Sequence, residues 1–302
     1  MENLTQLIML SDASLAYYAI DFVILMGFMA TLRLFAASIA GISLKELLAQ
    51  QNNFAAGIAL AGAIIAVAIL MMGVVSGDAG STYVEEITLM GSYGIAAMTF
   101  MGLTRKIFDK IGLRQISIHD EIMAGNVAAG IVDAFNLIAT AIIIRAAMSW
   151  VDGSTFLGLA IVVGIFLISQ IILILATLYR NAVFNRRHKG KDKTLQGEIK
   201  GGNVALAIRF SGYRLGVGLA MTATSGVVIY DTSVLGFSVL AWVIMAIIIF
   251  VSQTLLSIIL RHILLPKVNV ADEVGEQQNI AIGSIEAAIY VGIGFAFVGL
   301  FA

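Results

Sequence analysis

Asn126-Val127-Ala128-Ala129-Gly130-Ile131-Val132-Asp133 opens an apolar run with an asparagine and, seven positions on, sets an acid among small residues. The same phrase stands at Asn53-Phe54-Ala55-Ala56-Gly57, at Asn203-Val204-Ala205-Leu206-Ala207 and at Asn279-Ile280-Ala281-Ile282-Gly283. Four copies at nearly even spacing make a repeat, so one structural unit is used four times. Asn53, Asn126, Asn203 and Asn279 suit the first position because an asparagine oxygen accepts from the free amides of a helix's first turn.

The solvent of these helices follows from composition. The chain is 60% hydrophobic and 12% charged, about half the charge of a soluble domain. Apolar runs at about 14–34, 54–76, 84–105, 127–148, 155–180, 204–226, 234–261 and 280–301 each approach or exceed the roughly twenty residues that cross a bilayer. A buried core helix would explain one such run. Eight in one weakly charged chain predict an all-α integral membrane protein of eight transmembrane helices, with the lipid bilayer as its first partner. The absence of cysteine excludes disulfides and thiolate metal sites. Met1-Glu2-Asn3 lacks the basic start of a signal peptide, so the first run is expected to stay as a span.

Orientation follows from Lys and Arg. Every one of them except Arg145, Arg209 and Arg214 falls in the connections after odd-numbered spans, from Arg33 and Lys45 to Arg261 and Lys267. The opposite connections hold Asp78, Glu85, Glu86, Asp152 and Asp231. The four basic linkers are expected in the cytoplasm and both termini outside it. Each odd span ends at an arginine: Arg33, Arg105, Arg180 or Arg261. A short capped helix should follow, read from Ser43 with Glu46, Ser117 with Asp120, Asn269 with Asp272, and a weaker Thr194 with Glu198. The run Arg186-Arg187-His188-Lys189 has no interleaved aromatics, so it reads as topology and lipid attraction, not as a nucleic-acid patch.

The unit is therefore span, basic linker, span, in four parallel two-helix copies. Copies one and two form a first half, residues 1–150, and copies three and four a second half, residues 151–302. Ser169-Gln170 and Ser252-Gln253 recur in the third and fourth odd spans, the two of the second half. Parallel repeats predict pseudo-symmetry about the membrane normal.

Four and eight positions after each asparagine stand small residues: Gly57 and Ala61, Gly130 and Ala134, Ala207 and Ser211, Gly283 and Ala287. Small residues four apart let helix backbones approach closely. Asp133 and Glu286 lie seven after their asparagines and Arg214 eleven after its own, on that same face. Arg209 falls about a quarter-turn away, and Asp21 lies in the first span. Charges at such depth cost about 2.5–3.5 kcal/mol each, so they need partners or water. Two readings stand open. Asp133 and Glu286 pair with Arg209 and Arg214 and fix helix register, or the acids line a polar path for a cation or proton.

The repeat resembles the YjfL-like family, a bacterial inner-membrane family described as a domain of unknown function. The resemblance is carried by the basic linker followed by Asn-x-Ala-Ala-Gly or its variants, at Lys45 to Gly57, Asp120 to Gly130, Glu198 to Ala207 and Glu273 to Gly283, with Ala207 replacing the glycine in the third copy. It implies a fused duplication of a four-span unit, placed in the bacterial inner membrane, in the genetic context of polyamine enzymes and envelope-stress proteins. It carries no catalytic residue. The sequence holds no phosphate loop, nucleophile–base pair or zinc spacing, so the expectation is a protein that is not an enzyme and takes no cofactor. The expected function is a small-solute or cation conduit with Asp133 and Glu286 as site acids and Arg214 as partner or gate. The alternative is a non-conducting membrane scaffold that docks a cytoplasmic partner through its basic linkers.

Overall fold

The computed structural model describes residues 12–40, 45–75, 82–151, 156–191 and 193–302. Among them every regular element is helical. The odd spans are α1 (Asp12–Ala40), α3 (Tyr83–Ile107), α6 (Phe156–Arg187) and α9 (Leu235–Leu264). The even spans are α2 (Phe54–Val75), α5 (Val127–Trp150), α8 (Val204–Val227) and α11 (Ile280–Phe301). Short linker helices α4 (Ile118–Met123), α7 (Leu195–Lys200) and α10 (Val270–Gly275) lie between them. Eight helices are long and apolar enough to cross a membrane, and the chain is a multi-pass membrane protein. Several odd helices outrun the apolar stretch, α6 ending at Arg187 and α9 at Leu264. Basic residues in their last turns suit the negative end of the helix dipole, so these helices continue into the linkers.

The even helices lie side by side in the order α2, α5, α8, α11, and the odd helices cover the seams: α3 rests on α2 and α5, α6 on α5 and α8, α9 on α8 and α11. The seams are close because they are built of small residues. A β-carbon added to Gly62 would overlap Ala134, and one added to Gly212 would overlap Ala287. At Gly130 it would stand 2.5 Å from the Ala55 carbonyl oxygen, and at Gly283 2.5 Å from that of Ala205. Backbone-to-backbone packing of this kind replaces the hydrophobic drive that lipid does not supply.

The asparagines do two jobs. Each accepts from the backbone of its own first turn: Asn53 from Ala56 at 2.9 Å, Asn126 from Ala129 at 3.3 Å, Asn203 from Leu206 at 2.9 Å and Asn279 from Ile282 at 3.3 Å. The side-chain amides of the first three also reach the end of the next copy's linker helix. Asn53 donates to the Ile122 carbonyl at 2.9 Å, Asn126 to that of Ile199 at 2.9 Å and Asn203 to that of Val274 at 3.0 Å. One residue type thus starts a helix and staples adjacent repeats at the same level, which aligns the four even helices.

The linker caps are met in part. Ser117 accepts from the Asp120 amide and Thr194 from that of Gly197, so the third copy is capped as well as the second. Asn269 is a correction: its side chain makes no cap and donates to the Asp272 carboxylate instead. A charge-assisted bond outcompetes a neutral one. Ser43 lies outside the described residues. The basic run of the third linker meets the fourth linker: Lys191 and Lys193 stand 3.3 and 3.2 Å from the Glu276 carboxylate, and Lys193 donates to the Gly275 carbonyl at 2.9 Å.

Candidate functional site

Asp133 and Glu286 are both buried, at 4% and 1% exposure, as their face predicts. Each closes on an arginine from the end of the preceding odd span. Arg105 at the end of α3 donates through Nε to both Asp133 oxygens at 3.1 Å and through NH2 to Oδ2 at 2.7 Å. Arg261 in the last turn of α9 stands 3.4 Å from Glu286 Oε1, and Arg209 on α8 donates to Oε2. Tyr290, one turn along α11, donates to Oε2 at 3.5 Å. Arg180, which ends the corresponding stretch of α6, has no acid in its own copy, because Phe210 occupies the seventh position there, and its charge acts on Glu286 of the fourth copy instead. It donates to the Tyr290 hydroxyl at 3.2 Å, and its guanidinium lies 4.9 Å from the Tyr213 ring centre.

Arg214 departs from expectation. It pairs with neither acid. It donates to the Leu173 carbonyl at 3.2 Å, to the Thr177 hydroxyl and to the Asn136 side-chain oxygen, and it lies over the Phe108 ring at 4.5 Å. Its offset of eleven puts it about one turn, ~5.4 Å, farther along the helix than the acids, whereas Arg209 at offset six is level with Glu286. Asp21 is buried beside Glu86, and its Oδ1 has no partner among the described residues. A narrow cleft near the third linker is lined by Arg180, Phe184, Arg187, His188, Arg209 and Phe210 among others. Three arginines, Arg180, Arg187 and Arg209, line that space among apolar side chains such as Phe184, Leu206 and Phe210.

The pairing reading set both acids against Arg209 and Arg214; the structure brings only Arg209 to Glu286, and Arg105, Arg261, Arg180 and Tyr290 were missed as partners. The signal was present in the arginine that ends every odd span, read above as topology alone.

The profile of one family matches the chain twice, over residues 3–148 and 150–301. The chain belongs to the DUF350 family. Its description is a domain of unknown function, and two successive matches make this protein a duplicated member. No curated protein and no solved structure matches the chain. Each DUF350 domain carries one equivalent ion pair, Arg105 with Asp133 in the first and Arg261 with Glu286 in the second. In both, the arginine ends the domain's second odd span and the acid stands seven residues into the fourth helix.

Proposed function

We propose that the protein is a non-conducting membrane scaffold, whose intramembrane charges hold its helices in register and whose linker side faces the cytoplasm to dock a soluble partner. The observation that carries this reading is the closure of both acids: each is buried and spent on arginines. A cation path would need those carboxylates free toward water. The nearby cleft argues the same way, since Arg180, Arg187 and Arg209 around it repel a cation. Arg186, Arg187 and Lys189 are exposed, and they suit a partner with an acidic surface. No step of this reading needs catalysis or a cofactor. The conduit reading retains one observation, the buried Asp21 carboxyl, which is hydrogen-bonded to Glu86 while its Oδ1 finds no partner among the described residues.

Thiol accessibility separates the two, because the chain has no cysteine of its own. Single cysteines at Leu137 and Ile289, about one turn from the acids on their own helices and both buried, should resist a membrane-impermeant maleimide until the protein is denatured. Rapid labelling in the folded protein would put water beside the acids and overturn the scaffold reading.

A further inference from the structure

The seam between copies has a front and a back, and the chain leaves one of each uncovered. On the front, offsets two, nine, thirteen and twenty from the asparagine face the next copy. Ala55, Gly62, Ala66 and Gly73 of the first copy are all buried there. Ala205, Gly212, Gly216 and Ala223 of the third copy are buried in the same way. In the fourth copy the same offsets are Ala281, Ala288, Gly292 and Gly299, and every one is exposed. Ile285, at offset six, is 40% exposed, where Ala59, Val132 and Arg209 are at most 5% exposed.

The back face shows the reverse. Offsets four, eight, eleven and fifteen meet the preceding copy. In the first copy, which no other copy precedes among the described residues, Ala61 and Ile64 are exposed and Gly57 and Ala68 are half-covered. Ile64 is 40% exposed, against 1% for Leu137, 2% for Arg214 and 4% for Tyr290 at the same offset. Nothing lies nearer than 4.0 Å to a β-carbon added at Gly57, whereas at Gly130 and Gly283 the preceding copy's backbone stands 2.5 Å away.

Lipid alone does not account for these residues. The outward face of α9 is built of Phe237, Leu240, Ile244, Ile247, Val251 and Leu255. Large side chains of that kind suit acyl chains, while glycines lower helix propensity by about 1 kcal/mol each with no packing in return. The uncovered front of α11 instead keeps the small residues that let a backbone approach.

Polar groups mark the same break. The amides of Asn53, Asn126 and Asn203 each reach a carbonyl of the next linker helix, but that of Asn279 finds only its own neighbour Glu273, at 2.8 Å. The carbonyls at the corresponding place in the first copy belong to Ala49 and Gln50, both exposed. The odd spans repeat the pattern. The helices α3, α6 and α9 each rest on their own even helix and on the one before it. For α1 no earlier even helix is among the described residues.

We infer that the fourth copy of one molecule packs on the first copy of another, continuing the internal seam from chain to chain. The contact is heterologous, front to back, so it closes into a ring if the rotation between copies permits and extends as a row if it does not. It would set the front of α11 against the back of α2, place the Asn279 amide on the Ala49 and Gln50 carbonyls of the neighbour, and seat α1 on the neighbour's α11. Self-association of this kind stands independently of the scaffold reading.

The test uses the full chain in native membranes. Ala61 and Ala288 are exposed, so Ala61→Cys and Ala288→Cys leave the single molecule intact. These offsets meet internally as Gly62 on Ala134 and Gly212 on Ala287. After mild oxidation, each single variant alone should remain monomeric on a non-reducing gel. The two single variants co-expressed should give dimers and nothing larger. The doubly substituted chain should give a ladder, which stops at a fixed size for a ring and runs on for a row. Dimers from either single variant alone would mean a two-fold contact, and monomers throughout would mean no contact at this seam; either result overturns the inference. As a second reading, Ile64→Trp added to the doubly substituted chain should abolish the ladder while leaving the unfolding transition of the single chain unchanged, because Ile64 lies on the same back face and is 40% exposed. Persistence of the ladder in that variant would likewise overturn it.

Discussion

Replacing Glu286 with leucine should destabilise the protein more than any other single change among its charged residues. Glu286 is 1% exposed and answers three guanidinium groups: Arg209 with a side chain 5% exposed, Arg261 with one 12% exposed, and Arg180, whose charge also acts on it. Removing it leaves all three cations without their acid. Arg261, at the end of α9, can turn toward the linker side and recover water. Arg209 is locked in the α8–α11 seam and cannot. Breaking a buried pair from one side costs about 3–5 kcal/mol, because an uncompensated charge is left behind. Replacing both partners with apolar residues of similar volume is often neutral. The double variant Glu286→Leu with Arg209→Met should therefore recover most of the loss, the remainder reflecting Arg261 and Tyr290. Reversible unfolding in mixed detergent micelles measures all three proteins against wild type. The reasoning is refuted if Glu286→Leu costs under about 1 kcal/mol, the value of an exposed pair, or if the double variant is no more stable than the single one.

Four further outcomes follow from the same geometry. Asp133→Asn should cost less than Glu286→Leu, about 1–3 kcal/mol, since its partner Arg105 has a side chain 34% exposed and can rehydrate; the same unfolding assay ranks the two. Gly130→Ala should destabilise by about 1–3 kcal/mol through overpacking against the Ala55 backbone, whereas Gly57→Ala at the same repeat offset should be neutral or slightly stabilising in dilute detergent, where the molecule is alone. Asn203→Ala should cost roughly twice as much as Asn279→Ala, because both lose a cap worth about 1 kcal/mol but only the first also loses a bond to the next linker helix. Donation from Lys193, with Lys191 beside it, holds the Glu276 carboxyl below the usual carboxylate range. A depressed carboxyl stabilises the folded contact above its unfolded pKa of about 4.3 and loses that contribution as pH falls through the folded value. Protection of the amides around Gly275 in hydrogen exchange should accordingly drop below about pH 4 in wild type, and that step should be absent in Glu276→Gln.

Much of the architecture was legible in the residues because it rests on local signals. Apolar length marked the spans, and an asparagine followed by small residues marked where each even helix begins and which face meets its neighbour. Asp133 and Glu286 could be placed on a protein-facing side by counting alone. What counting could not supply was the partner. Arg105 and Arg261 reach their acids from another helix, and the level at which two helices pass each other is set by the asparagine staples and glycine seams, which are tertiary. Arg214 illustrates the limit. It shares the acids' face, yet one extra turn of rise carries it to Asn136 and Thr177, beyond reach of either carboxylate. The second task of the asparagines, holding the next repeat's linker, has no local signature, since any cap requires only the first.

The most direct test of the scaffold reading is cation and polyamine flux through wild-type protein in proteoliposomes, beside the Asp133→Asn, Glu286→Gln double variant and the Asp21→Asn variant. Flux no greater than that of protein-free vesicles in all three is the predicted result. Wild-type flux that disappears in the double variant would make Asp133 and Glu286 part of a path and contradict the account, and flux lost only with Asp21 would contradict it at a different site.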